Sequence, residues 1–313
     1  MTDAPLLDPI DDLLDVLDLT YEGPTTIEVA SPTEATGDLG TYVGEVYTGR
    51  SQPQLYGRVF GGQVLAQCVM AAGRSVAAVD DGDGPRHIHS LHGYFLRPGD
   101  ASKSIQFVVE GMRDGRSFSA RRVHATQEGR ILLSMITSFQ EPAEGLDHQI
   151  PMPDVPRPEE LRSDREILAR IDHPYAQHTA RSRAVDLRHV ERLLLGPADP
   201  GPSEQSVWMR VERPLPDDHL LHAAILAYAS DYTLLEPILR RHGIGWGDPR
   251  LRPASLDHSM WFHRPGRVDD WFLYSLSSPS AESGRGLGMG HMFGSDGTLL
   301  ATVGQEGMVR LKG

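Results

Sequence analysis

The stretch DDHLLHAAILAYASDYTLLEPIL, residues 217–239, decides how the chain is read. Asp217 and Asp218 follow Pro216 as helix-start signals, and apolar residues recur at Leu220, Ala224, Ala227, Leu235 and Ile238 at helical spacing. The spacing predicts one amphipathic helix with an apolar stripe. Between Ala227 and Leu235 that stripe passes through Asp231, so a carboxylate stands on the face due for burial. A buried carboxylate is costly unless it is hydrogen-bonded or paired, and perturbed carboxylates occur both in structural ion-pair networks and at catalytic sites. Taken by itself, the helix leaves both readings open.

Around this helix the chain repeats an order of elements. VWMRV (207–211) reads as a strand before the helix and HGIGWGDP (242–249) as a turn cluster after it. Four strand-like runs follow: ASLDHSMWFHRPG, WFLYSLSSPS, GRGLGMGHMFGSDG and TLLATVGQEGMVRL. Earlier in the chain, TYVGEVYT (41–48) reads as a strand, and Gly61 and Gly62 open a helical stretch reaching Val79. The turn cluster DDGDGP (80–85) and the runs HIHSLHGYFLRPG, KSIQFVVEGMRDG and SFSARRVHATQEGRILLSMITSFQ come next, the last broken by a hairpin turn at Glu128-Gly129. Arg97-Pro98-Gly99 answers Arg264-Pro265-Gly266, and Gly129 answers Gly297 at nearly the same offset. The chain is thus read as a tandem duplication of one α+β unit. A long helix followed by an antiparallel sheet buries its stripe when the sheet wraps around it. The expected fold is a double hotdog, with the two sheets joined edge to edge and a pocket near the helices.

The expected divisions are an N-terminal helix and extended segment (1–39), a first repeat (40–141), a linker (142–205) and a second repeat (206–313). IDDLLDVLDL (10–19) has the spacing of a short docking helix, and residues 21–36 read as extended or loop structure. Residues 163–172 read as a helix, with Ser163 and Glu166 spaced as a capping box.

With 313 residues, 39% of them apolar and 23% charged, the composition is that of a soluble globular protein. A net charge of -13 argues against nucleic acid or an anionic membrane as a broad-surface partner. The single cysteine, Cys68, allows no intramolecular disulfide and fits a reducing compartment; its small apolar neighbours make it core packing. No apolar run reaches the length of a membrane span, the N-terminus carries acids where a targeting peptide carries bases, and VRLKG is no peroxisomal address. A cytoplasmic location is expected.

The duplication makes asymmetry informative. The first helix has no carboxylate, whereas the second has Asp231, and Ser255 and Gln305 interrupt presumed buried strands of the second half. At the repeat offset they stand opposite Ile88, or Ser90 if the loops differ, and Ser138. An acid, a hydroxyl and an amide can together hold and polarise one water without a metal. Each also has an ordinary structural use, as a strand-end hydroxyl or an amide bonded to backbone. His258 lies between Asp257 and Ser259, but neighbours in a strand point to opposite faces, so these three do not converge as a triad. Gly284, Gly286, Gly288 and Gly290 miss the dinucleotide pattern and read as one bare strand face packed on a helix. His87 and His89 at period two, with His92 three residues further on, form a candidate ladder with no carboxylate or cysteine partner at ligand spacing, so no metal is expected. Arg121-Arg122, Arg240-Arg241, Arg264 and Arg267 are candidate phosphate contacts, each with solvated surface as the alternative. The free N–H groups at Gly61 and Gly62 are candidates for stabilising an oxyanion.

RVFGGQVLAQ (58–67), LHGYFLRPGD (91–100), RDGRSFSARRV (113–123), YASD (228–231), LDHSMWFHRP (256–265) and VGQEGMVR (303–310) resemble the acyl-CoA thioesterase II, or TesB, family. The likeness is ordered and covers both halves from about residue 40. It implies a double hotdog hydrolase of fatty acyl-CoA, with no metal or redox cofactor and with homo-oligomeric assembly. It also implies a water oriented by Asp231, Gln305 and, where the family has threonine, Ser255, with no covalent intermediate. Serine keeps the hydroxyl and loses the methyl that stiffens the rotamer. A hotdog enoyl-CoA hydratase would carry histidine five residues after the aspartate, where this chain has Glu236. A non-catalytic acyl-CoA-binding protein is the remaining alternative.

Overall fold

The computed structural model describes residues 7–28, 41–79, 84–196 and 199–312. Parts of two expected segments, the extended stretch 21–36 and the turn 80–85, lie outside them. Each half is a curved antiparallel sheet around a helix. In the first half β2 (Thr41–Gly49), β4 (Ile105–Asp114), β5 (Phe118–Gln127), β6 (Arg130–Gln140) and β3 (His87–Phe95) pair in that order around α2 (Gly61–Ala77). The second half repeats the order with β8 (Glu204–Val211), β11 (Phe272–Glu282), β12 (Arg285–Gly294), β13 (Leu299–Leu311) and β10 (Asp257–Phe262). The halves join where β3 pairs antiparallel with β10, Leu91 opposite Met260, which makes one thirteen-stranded sheet with the double hotdog architecture. Outer strands flank it: β1 (Thr20–Glu28) pairs with β2, and β7 (Val185–His189) with β8. The short β9 (Leu251–Ser255) pairs with β13.

Small residues let the central helices meet. A Cβ added at Gly62 would lie 2.4 Å from the Tyr228 carbonyl, and one at Gly73 would lie 2.3 Å from the Leu220 side chain. These pairs run antiparallel, so the start of α2 faces the end of α5 (His219–Ser230), and the start of α5 faces the second half of α2. The expected bare strand face forms in part: Gly286 and Gly288 admit Ile238 and the Leu234 carbonyl, whereas Gly290 admits the Tyr274 ring of the neighbouring strand and Gly284, at φ +73°, is a turn residue beside Arg310.

The expected single helix over 217–239 is two helices. α5 ends at Ser230, residues 231–235 form turns, and α6 spans Glu236–Arg241. Pro237 has no N–H to offer the Thr233 carbonyl, and its ring would clash there, so the helix cannot run through. The Ser230 hydroxyl turns back onto the Ala227 carbonyl at 2.8 Å, and Glu236 N–H bonds Thr233 O at 2.9 Å. α5 is also less amphipathic than expected, because α2 and the sheet bury it from His222 and Ala224 through Ser230.

α1 (Pro9–Leu17) docks as its spacing suggested, burying Leu13, Val16 and Leu17. Arg50 reaches the Asp12 and Asp15 carboxylates, and Gln67 on α2 donates to the Val16 carbonyl at 2.9 Å. Residues 142–205, expected as a linker, carry α3 (Asp164–Leu168), α4 (Pro174–Ser182) and β7. Ser163 caps α3 through the Arg165 N–H. Elements of five to nine residues are too short to show a period.

A buried charge chain fixes this added wall. His189 on β7 sits between Asp164 Oδ1, 2.9 Å from Nδ1, and Glu236 Oε2, 3.0 Å from Nε2. Glu236 also accepts from Gln205 and from the Trp246 indole, both at 2.8 Å. Burial opposes charge on His189, but the two carboxylates overcome it and push the ring up to about 10.

Two outcomes follow. Gly62→Ala must push the helices apart at backbone, and urea unfolding is expected to show a loss of about 1–3 kcal/mol, the range of overpacked cores; an unchanged midpoint would refute the close contact. Because His189 is raised from 6.5 to about 10, its contribution is complete below pH 6.5 and lost as pH rises toward 10. Calorimetric melting of His189→Gln is expected to give a lower Tm at pH 6 and a shallower alkaline decline than the parent, whereas parallel curves would remove the charged triad.

Candidate functional site

The break after α5 places Asp231 under the first turn of α2. Asp231 is the C-cap of α5; Ser255 Oγ stands 3.5 Å from its Oδ1, and the Gln305 amide and the Gly62 N–H favour its charged form. A Cβ at Gly61 would lie 2.7 Å from Asp231 Oδ2, so only glycine leaves room for the carboxylate there. Burial outweighs these three donors and raises the Asp231 pKa to about 7.

Ser255 ends β9 and Gln305 sits on an inward position of β13, so two adjacent strands deliver them to the same place. Gln305 Nε2 donates to Ser255 Oγ at 2.9 Å, and Ser255 Oγ is 3.5 Å from Asp231 Oδ1. Behind them lies His258 on β10, fully buried, with Nδ1 2.5 Å from Gln305 Oε1 and Nε2 2.9 Å from Ser230 Oγ. Burial lowers His258 to about 4, which keeps it neutral. A neutral ring that donates from Nδ1 to Gln305 Oε1 leaves Nε2 as an acceptor, so the single Ser230 hydroxyl proton is shared between Nε2 and the Ala227 carbonyl. That sequence of donors fixes the Gln305 amide with its NH2 toward Ser255 and Asp231.

The triad reading of 257–259 is not what forms: Asp257 accepts from the Glu306 N–H at 2.6 Å and Ser259 faces outward to His92. His258 nevertheless belongs to the cluster through Gln305. Its signal was an ionisable residue at an inward strand position occupied in the first repeat by Leu91. The counterpart of Gln305 is also shifted from the expected Ser138 to the buried Thr137, which stands opposite Leu91.

Asp231, Ser255, Gln305 and Gly61 line one cleft of about 440 Å3. Its other walls are Phe60, Tyr228 and Tyr232, whose rings pack with centroids 5.0 to 5.5 Å apart, and Leu168, Leu195 and Trp246 from the segments around α3 and α6. Tyr228 OH donates to Gln52 at 2.7 Å. The N–H groups of Gly61 and Gly62, in the first turn of α2, lie beyond the helix's own bonding, and that of Gly62 favours the Asp231 carboxylate. Phe60 supplies no side-chain cap, in contrast to α5, whose first turn is capped by Asp218. Glu236 lines the cleft as well, but both its oxygens already accept hydrogen bonds.

The structure brings neither Arg121 nor Arg264 to this cluster. Arg121 is buried beside α2, with Nε on Ser75 Oγ at 3.0 Å and Nη1 on Asp114 at 2.8 Å. Arg264 pairs with Asp147 and lines a second pocket at the other end of the helix pair. The histidine ladder is divided by a bulge between Ile88 and Ser90: His87 and His89 face that second pocket, and His92 is exposed against Trp261.

Among known proteins, the acyl-CoA thioesterase family pattern matches residues 152–308, and the acyl-CoA thioesterase N-terminal domain pattern matches residues 26–140. Acyl-CoA thioesterase 2 of Haemophilus influenzae is 36% identical over 271 residues, 85% of this chain and 92% of that protein. Human acyl-coenzyme A thioesterase 8 is 36% identical over 82% of this chain and 81% of its own length. The crystal structure of acyl-CoA thioesterase II TesB2 from Mycobacterium marinum superimposes with a TM-score of 0.71 at 39% identity, covering 96% of this chain and 98% of that one. With both halves matched and relatives aligned over most of its length, the chain belongs to the acyl-CoA thioesterase II (TesB) family.

Proposed function

We propose that the protein hydrolyses fatty acyl-CoA to a carboxylic acid and free CoA with a water activated by Asp231. The observation that carries this reading is the polar cluster at one end of the helix pair: Asp231, Ser255 and Gln305 meet in an open cleft beneath the uncapped first turn of α2. Family membership supports the thioester chemistry. Asp231 is the general base, and Gln305 and Ser255 hold the water's oxygen toward the thioester carbonyl. As the water oxygen bonds to the carbonyl carbon, its proton passes to Asp231, and charge develops on the carbonyl oxygen. The Gly61 N–H and the positive end of α2 stabilise that oxygen. Collapse of the tetrahedral species breaks the C–S bond, and the sulfur leaves as the CoA thiol with the proton returned by Asp231. His258 and Ser230 act through Gln305 by fixing its amide.

A base must be ionised to act. With its pKa at about 7, Asp231 is expected to give a kcat/KM that rises with pH through about 7 and levels above it. Asp231→Asn is expected to remove that limb and lower CoA release, followed by thiol titration, by about a hundredfold or more. The same variant loses a buried charge and should hold or raise the Tm at pH 8. Release that survives in Asp231→Asn, or labelled acyl group retained on denatured protein, would overturn the mechanism. No release from any acyl-CoA that the protein nonetheless binds would make it a binding protein.

Ser255→Ala is expected to lower kcat about tenfold, the worth of one hydrogen bond, while Ser255→Thr retains the hydroxyl on a stiffer rotamer and keeps or raises kcat. Equal rates in the two variants would take the hydroxyl out of the reaction.

A further inference from the structure

The pseudo-twofold relation between the halves creates two equivalent ends of the α2–α5 pair, and only one end has been assigned a function. At the other end Gly73 faces Leu220 where Asp231 faces Gly62, and Leu91 and Thr137 stand for His258 and Gln305. The Asp231, His258 and Gln305 set therefore has no counterpart there. The end is nevertheless open, as a pocket of about 420 Å3, close in size to the Asp231 cleft.

Its lining is unlike the rest of this acidic chain. Among the described residues five histidines and two arginines line it, with Glu141 as the one carboxylate. Three of the histidines have partners: His89 with Ser138 at 2.8 Å, His263 with Thr302 at 2.8 Å, and His222 with the Pro216 carbonyl at 3.1 Å. Among the described residues, no hydrogen bond engages the rings of His87 and His219, which pack against each other with centroids 4.4 Å apart. Arg86 is nine-tenths buried; its terminal nitrogens reach Ser119, the Arg116 carbonyl and Glu141, and among the described residues its Nε has no hydrogen-bond partner. The remaining wall is apolar and includes Leu220, Leu226 and Phe262. One buried guanidinium nitrogen, a half-buried His87 and an exposed His219 beside an aliphatic surface are complementary to a molecule that carries an anion on a hydrocarbon chain.

We propose that this second pocket is a binding site for an amphiphilic anion, an aliphatic chain ending in a carboxylate or a phosphate. The head group takes the donors of Arg86, His87 and His219, and the chain lies along Leu220, Leu226 and Phe262. The site uses none of the residues assigned to hydrolysis, so it stands or falls independently of the chemistry at Asp231. It also gives a role to His87, which lies outside the Asp231 cleft.

The test is a calorimetric titration of the full chain with decanoate, decyl phosphate and decanol. Three proteins are compared: the parent, His87→Leu/His219→Leu, and Ala223→Phe, which fills the pocket and leaves the histidines in place. Decanoate or decyl phosphate is expected to bind the parent with one equivalent that both variants lose, while their initial rates of acyl-CoA hydrolysis match the parent's. Whichever head group binds identifies the source, a fatty acid or a phosphorylated lipid. Equal occupancy by decanol would overturn the anion requirement. Anion binding unchanged in Ala223→Phe, or absent from the parent, would overturn the site.

Discussion

The contact between α2 and α5 admits no side chain at Gly62, and most of the molecule follows from that restriction. With the Tyr228 carbonyl where a Cβ would stand, the two helices approach at backbone distance and bring the uncapped start of α2 onto the end of α5. A carboxylate at that point meets a Gly62 N–H and the favourable end of a helix dipole. It is still too well covered to ionise as freely as in water, and the balance leaves it near neutrality. The surrounding sheet then needs only to present an amide and a hydroxyl from adjacent strands.

Much of this architecture was legible in the sequence because duplication writes the same grammar twice. The repeated Arg-Pro-Gly motif, the glycine turns and the alternation of the strands specify two helices in two antiparallel sheets, and Asp231 declares itself by interrupting an apolar stripe. The spacing of Leu235 and Ile238 continues the helical period across the turn and so masks the break after Ser230, which Pro237 announces. His258 was set aside for a correct local reason, that its neighbours point away, but its partners Gln305 and Ser230 come from other elements. Within the expected linker the spacing of Ser163 and Glu166 announces α3, whereas α4 and β7 leave no local pattern, because their stability lies in tertiary contacts such as His189 with Asp164 and Glu236.

The asymmetry of the two ends has a physical meaning. In a symmetric dimer of single repeats every substitution appears at both sites, so a change that suits one end is imposed on the other. A tandem chain removes that coupling. Here Asp231, His258 and Gln305 stand at one end while Gly73, Leu91 and Thr137 stand at the other, and a helix cap follows the same division: α5 has Asp218, and α2 has none.

The two ends of the sheet have a different consequence. A path of strands this long exposes a row of backbone donors and acceptors at each margin, which is a template for adding further chains. On one margin β1 carries Pro24, which has no N–H to offer, and a register shift between Tyr21 and Gly23. On the other, β7 spans only Val185–His189, with His189 held by the carboxylates beside it. A strand from another molecule would find a missing donor at one margin and a short ladder at the other, so the sheet resists growth into fibres despite its length.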